Sequence, residues 1–182
     1  MRTRTTALVL AVLAAPALAA LLGSAPPKPD PAVAAILPLY QATRGWIIAT
    51  AEQVPEGTYG FKPTPEVRSI GELIGHLAGA QYLFCSTAMG EENPNKTDYE
   101  KTVTGKAELV AALKAGFAYC DKAYEMSGPK VMEETGLFGM KGSRLWVLNF
   151  NAVHNGEHYG NLVTYMRLNK MVPPSSQPQP KS

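Results

Sequence analysis

The 182-residue chain contains three histidines, His76, His154 and His158, and two of them carry its most chemically suggestive spacing. His154-Asn-Gly-Glu-His158 is an H-x3-H string; on a helix, positions i and i+4 share a face, so both imidazoles can reach a single ion. Alone, such a pair is weak evidence, because histidines often share a helix face by chance. His76 strengthens it. In a helix its neighbours three before, four after and seven after are Leu73, Ala80 and Leu83, which turns its imidazole toward the interior or a cleft wall. Three His ligands leave one or two coordination positions for water or substrate, as catalytic metal sites do, whereas a structural site wants a fourth side chain.

Glu157 makes the same string read H-x-x-E-H, the inverted zinc-protease signature in which a Glu works as general base. Such proteases need a further acidic ligand well downstream, and only 24 residues follow His158. Glu157 therefore reads as a helix-surface or supporting residue, with a role as catalytic base kept open. Gly156 and Gly160 each cost about 1 kcal/mol of helix propensity relative to Ala. Close packing, or room beside an ion, would account for them.

Four helical segments must position these side chains. The first covers about residues 32–54, with Pro38 kinking it or marking its true first turn. A Pro- and Gly-rich loop then ends at Ser69, which forms an S-x-x-E capping box with Glu72. The second helix carries Ile70, Leu73, Ile74, Leu77, Gln81, Phe84 and Ala88 on one stripe beside His76, and Gly90 is its natural stop. After a long polar connector, Thr104 is placed to cap a third helix carrying Leu109, Leu113, Phe117, Cys120 and Tyr124 inward. A Gly-studded flap follows, with Leu137, Phe138 and Met140 exposed or half-buried, and Ser143 opens a fourth helix running to about Lys170. No segment reads as a strand.

Cys85 and Cys120 lie equally far beyond the Ser69 and Thr104 caps, about 24 Å at 1.5 Å per residue. They match in height only if the second and third helices run parallel; an antiparallel hairpin would separate them beyond disulfide reach. A structural disulfide is one reading and two buried thiols the other. Neither cysteine neighbours a His, Lys or Arg that would lower a thiol pKa.

At the N-terminus, basic Met1-Arg-Thr-Arg-Thr followed by the apolar run from Ala7 to Leu22 has the layout of a secretory signal peptide, with Ala17-Leu-Ala19 as a small-x-small cleavage pattern. The expected organisation is a signal peptide at 1–20, a Pro-rich tether at 21–31, the bundle at 32–172 and a disordered tail at 173–182. Export would place the protein in the periplasm or outside the cell, where a disulfide can persist. Uncleaved, the run would be a membrane anchor. Lys and Arg number 17 against 15 Asp and Glu; losing Arg2 and Arg4 leaves a neutral chain, and nothing suggests nucleic acid as a partner.

Three motifs in order resemble the DinB-like (YfiT-type) superfamily: the stretch from Phe61 through Pro63, Ser69 and Glu72 to His76; His154 through His158, Tyr159 and Gly160 to Arg167; and the Val172-Pro-Pro174 ending. The resemblance spans about residues 33–174. It implies an all-α, four-helix bundle in up-down-down-up order, whose second and third helices run parallel, in agreement with the cysteine spacing. It also implies that His76, His154 and His158 bind one divalent ion, zinc, nickel, iron or manganese, with water completing the shell. Where relatives commonly have Gln after Gly160, this chain has the shorter Asn161. Members of known activity resemble thiol-dependent transferases or metal-assisted hydrolases, acting on a small-molecule or thiol substrate, and the bundles pair as homodimers. A non-catalytic metal- or ligand-binding envelope protein would use the same three histidines without turnover, and a plain structural bundle would merely bury them.

Overall fold

A computed structural model describes residues 28–178. The expected signal peptide, most of the tether and the last residues of the tail lie outside the described residues. Helix α1 spans Pro31–Gln53, with Asp30 as its N-cap accepting from the Ala32 N–H at 2.9 Å. Its first turn begins at Pro31, so Pro38 lies inside the helix rather than at its start. Helix α2 spans Ile70–Met89 and begins at the Ser69–Glu72 capping box, with both reciprocal hydrogen bonds made. Gly90, at φ 73°, ends it in the left-handed conformation that glycine accepts without steric cost.

The connector is not structureless. It contains a short helix α3, Tyr99–Thr102, capped by Asp98, and it lies across α2 as a strap. The contact is close at Gly75, where a Cβ would sit 2.6 Å from the Tyr99 carbonyl oxygen, so only glycine lets the strap approach. Helix α4 spans Lys106–Asp121, and its N-cap is Gly105 with no side-chain cap bond, which corrects the assignment of that role to Thr104.

The region expected to be a flap without strands is a β-hairpin, β1 Glu134–Leu137 paired antiparallel with β2 Met140–Ser143. Phe138 and Gly139 form its two-residue turn, both at positive φ (51° and 77°), as a type I′ turn requires. Leu137 is buried, where it was expected to be exposed or half-buried, while Phe138 and Met140 are exposed. Ser143 then caps helix α5, Arg144–Leu168, by accepting from the Trp146 N–H.

Contacts along the helices give their directions. Gly71 lies beside Leu109, Gly116 beside Ala78 and Gln81, and Cys85 is joined to Cys120, so position rises together on α2 and α4 and the two are parallel. Tyr40 reaches Asp121 while Lys106 reaches the carbonyls of Glu52 and Val54, so α1 and α4 are antiparallel. On α5, His154 meets His76, Asn151 meets Gln81 and Arg144 meets Ala88, so α5 runs against α2. The order is up-down-down-up, an all-α bundle with one small hairpin. Its core is the apolar seam of Ile47, Ile74, Leu77, Phe84, Leu113, Phe117 and Leu148, all essentially inaccessible to solvent.

The α2–α4 contact is tight. A Cβ on Gly116 would lie 2.7 Å from the Ala78 carbonyl, so the helices approach at a glycine. The Cys85–Cys120 disulfide, with Cα atoms 5.1 Å apart, ties them one level further along. Residues 173–178 are docked, contrary to the disordered tail expected there: Pro174 is buried, and Ser175 exchanges two hydrogen bonds with the Tyr159 hydroxyl. Among the described residues no helix is long and apolar enough to cross a membrane.

Candidate metal centre

The antiparallel packing of α2 on α5 brings the three histidines together, one from α2 and two from successive turns of α5. His154 Nε2 lies 3.1 Å from His76 Nε2 and 3.0 Å from His158 Nε2. The three ligand atoms fall within 4.8 Å of one another. Nitrogens around a tetrahedral ion at 2.0–2.1 Å stand about 3.3 Å apart, close to the spacing of His154 Nε2 from each of the other two. In neutral tautomers the three ring nitrogens cannot all be well paired, because the single Nε2 position of His154 faces two neighbours and can be aimed at only one of them. A single cation among them resolves that conflict.

The outer nitrogens differ. His76 Nδ1 donates to Glu100 Oε2 at 2.9 Å, and Glu100 Oε1 accepts from Arg68 Nε at 2.8 Å. This relay fixes the His76 tautomer with its Nε2 lone pair turned into the cluster. Burial pushes the Glu100 carboxyl up, but the hydrogen bonds from Arg68 and His76 outweigh it and hold the pKa below the usual carboxylate value. The Nδ1 atoms of His154 and His158 are buried without a hydrogen-bond partner.

Desolvation, with His158, His76 and Arg68 adding to it, lowers the His154 pKa to about 3. Burial and the nearby His76 lower that of His158 to about 4, against the pull of Glu157. Both imidazoles are therefore neutral at pH 7, the state in which a ring nitrogen can ligate.

The triad divides two compartments. On one side, His154 and His76 border a mostly apolar cavity of about 210 Å³ beneath the hairpin tip. On the other, His158 borders an open polar cleft of about 520 Å³ with Arg68, Glu100, Glu157, Asn161 and Tyr165 on its walls. Glu157 is exposed on that cleft. A Cβ at Gly156 or Gly160 would meet nothing within 4 Å, so close packing is not what keeps those glycines.

Sequence reasoning missed Glu100 and Arg68. No spacing rule links Glu100 to His76, because the approach depends on the strap crossing Gly75. Cys85 and Cys120 are buried in the core beside Asn151, whose Nδ2 lies 3.2 Å from Cys120 Sγ.

The match to known proteins follows this geometry. The family model of the DinB superfamily matches residues 39–162, which include all three histidines. The chain belongs to the DinB superfamily. The uncharacterized protein YjoA of Bacillus subtilis is 26% identical over 119 residues, 64% of this chain and 77% of that protein. The crystal structure of that DinB-like protein superimposes with a TM-score of 0.60 at 22% identity, covering 80% of this chain and 99% of the other. A DinB-like protein from Bacillus cereus gives a TM-score of 0.66 at 13% identity, covering 76% and 93%. These two likenesses bear on the fold, and this DinB superfamily chain shares it.

Proposed function

We propose that this protein holds one divalent metal ion on His76, His154 and His158 and acts as a metal-dependent hydrolase or thiol transferase on a small molecule. The observation that carries this reading is the convergence of three imidazoles, with His154 Nε2 within 3.1 Å of Nε2 on each of the other two and His76 oriented from behind by a carboxylate. The donor set fits zinc, nickel, iron or manganese, since neutral imidazole suits borderline ions and no thiolate is present to narrow the choice. When bound, the ion supplies Lewis acidity, polarising a carbonyl or lowering the pKa of water or a thiol.

The chain's own groups supply the rest. Glu100 accepts from Nδ1 and holds the His76 ring with Nε2 turned toward the cluster. Arg68 holds Glu100 by an ion pair at 2.8 Å on the wall of the polar cleft. Glu157 faces that cleft, placed to accept a proton from the attacking nucleophile. Residues 1–20 direct the chain to the periplasm or the medium, so the substrate belongs to that compartment.

Elemental analysis of untagged protein tests the assignment. We expect close to one equivalent of metal in wild type and none in a His76/His154/His158 triple-alanine control; metal-free wild type would remove the basis of the proposal. The relay gives a second expected result. Glu100→Gln keeps the side-chain shape but removes the charge behind His76, and metal affinity falls roughly 10- to 100-fold in a chelator competition. Unchanged affinity would show Glu100 to be uninvolved. Glu157→Ala is expected to leave metal content intact while slowing turnover about 10²-fold or more on a substrate from a hydrolysis and thiol-transfer screen. Full activity in that variant would end its assignment as base.

A further inference from the structure

We propose that the apolar pocket beside the triad, flanked by Phe138 at the hairpin tip, receives one aryl or branched alkyl group of the substrate and so sets the specificity of the site. The inference rests on the metal-centre reading for what the rest of the substrate does, and on packing alone for the cavity. At about 210 Å³ this solvent-open pocket has room for one aromatic ring or branched alkyl group. Ala80, Leu83, Phe84 and Phe138 give it an apolar lining, the strap closes one side, and His154 forms the wall it shares with the triad.

Two residues break local rules around this one space. Phe138 sits at φ 51°, a conformation bulky side chains seldom adopt and one that Asn or Gly fills in ordinary type I′ turns. Burial does not explain the choice, because Phe138 remains 63% exposed. Its ring instead meets Phe84 and Phe150 edge-on, with centroids 6.1 and 6.0 Å away, and roofs the cavity. Gly79 is the second. It lies within α2, where glycine weakens the helix, yet a Cβ there would meet only Asn95 Nδ2, at 4.0 Å. Packing does not demand that glycine, and a larger side chain there would intrude on the cavity it lines. Local rules broken without a packing reason mark functional positions.

The triad stands between this compartment and the polar cleft, since His154 lines the first, His158 the second, and Glu100 both. A substrate spanning them presents its reactive polar atom to the histidines and its apolar group to Phe84 and Phe138.

The test separates the cavity from the metal. Saturation-transfer NMR with toluene, on full-length protein, is expected to give a signal in wild type that drops at least about fivefold in Gly79→Leu, which fills the space, and in Phe138→Gly, which removes the roof but suits the turn. Leucine is a better helix former than glycine, and the two variants act on different elements, so misfolding of one leaves the other decisive. In metal-loaded protein, calorimetry is expected to show benzohydroxamate binding about 30-fold more tightly than acetohydroxamate. In Gly79→Leu that preference disappears while acetohydroxamate affinity holds. No toluene signal in wild type, equal signals in all three proteins, or equal affinity for the two hydroxamates would overturn the proposal. Toluene binding that depends on Gly79 in a protein without metal would sustain the cavity and sink the metal centre.

Discussion

His154→Ala is expected to lower the metal content of the purified protein from about one equivalent to less than about a tenth, the largest effect of any single substitution at the site. His154 is the middle member of the cluster, the one whose Nε2 lies within 3.1 Å of both others. Binding energies of 10–16 kcal/mol shared among about four ligands assign roughly 3 kcal/mol to each, a factor above a hundred in affinity. Its loss also leaves His76 and His158 as an incomplete pair on different helices. The imidazole packs edge-on against Phe84, with centroids 5.0 Å apart, so truncation leaves a small cavity as well. A melting curve beside the elemental analysis separates the two effects, because a folded variant without metal isolates the ligand role. Metal retained at wild-type level in a folded His154→Ala protein would remove these residues from the site.

The helices and the three histidines were legible because their signals are local. Ser69, Glu72 and Gly90 announce the ends of α2 by capping chemistry that needs only adjacent residues, and Ser143 does the same for α5. Helical periodicity then fixes which face His76, His154 and His158 share with the core. The equal offsets of Cys85 and Cys120 carried the parallel arrangement, which survived although the real cap of α4 is Gly105, one residue from Thr104.

The missed features depend on tertiary approach. Glu100 reaches His76 because the strap packs on Gly75, and nothing in the sequence around Glu100 encodes that contact. The hairpin was hidden because its turn is Phe-Gly rather than Asn-Gly and its strands are four residues long. The tail looked disordered by composition, yet the Tyr159 hydroxyl and Gln53 hold Ser175 and Gln177 to the bundle.

Removing the disulfide, as Cys85→Ala with Cys120→Ala, is expected to lower stability by about 4 kcal/mol, the chain-entropy value for a loop closed between residues 35 apart. For a domain of this size that is a fall in Tm of roughly 8–16 °C. The surroundings give no compensation. Both cysteines are fully buried, so each truncation also leaves a void. The Asn151 amide keeps Gln81 and the Tyr124 hydroxyl as partners but loses both sulfurs. Calorimetry of the oxidised wild type against the double variant measures the difference. A shift under about 2 °C, or two free thiols titrated in the native protein, would show that the bond contributes nothing in solution. The bond joins α2 to α4, whereas the histidines lie across α2 and α5, so below its melting temperature the variant is expected to retain its metal. Metal lost together with the disulfide would mean that the α2–α4 seam, and not only the α2–α5 contact, sets the position of His76.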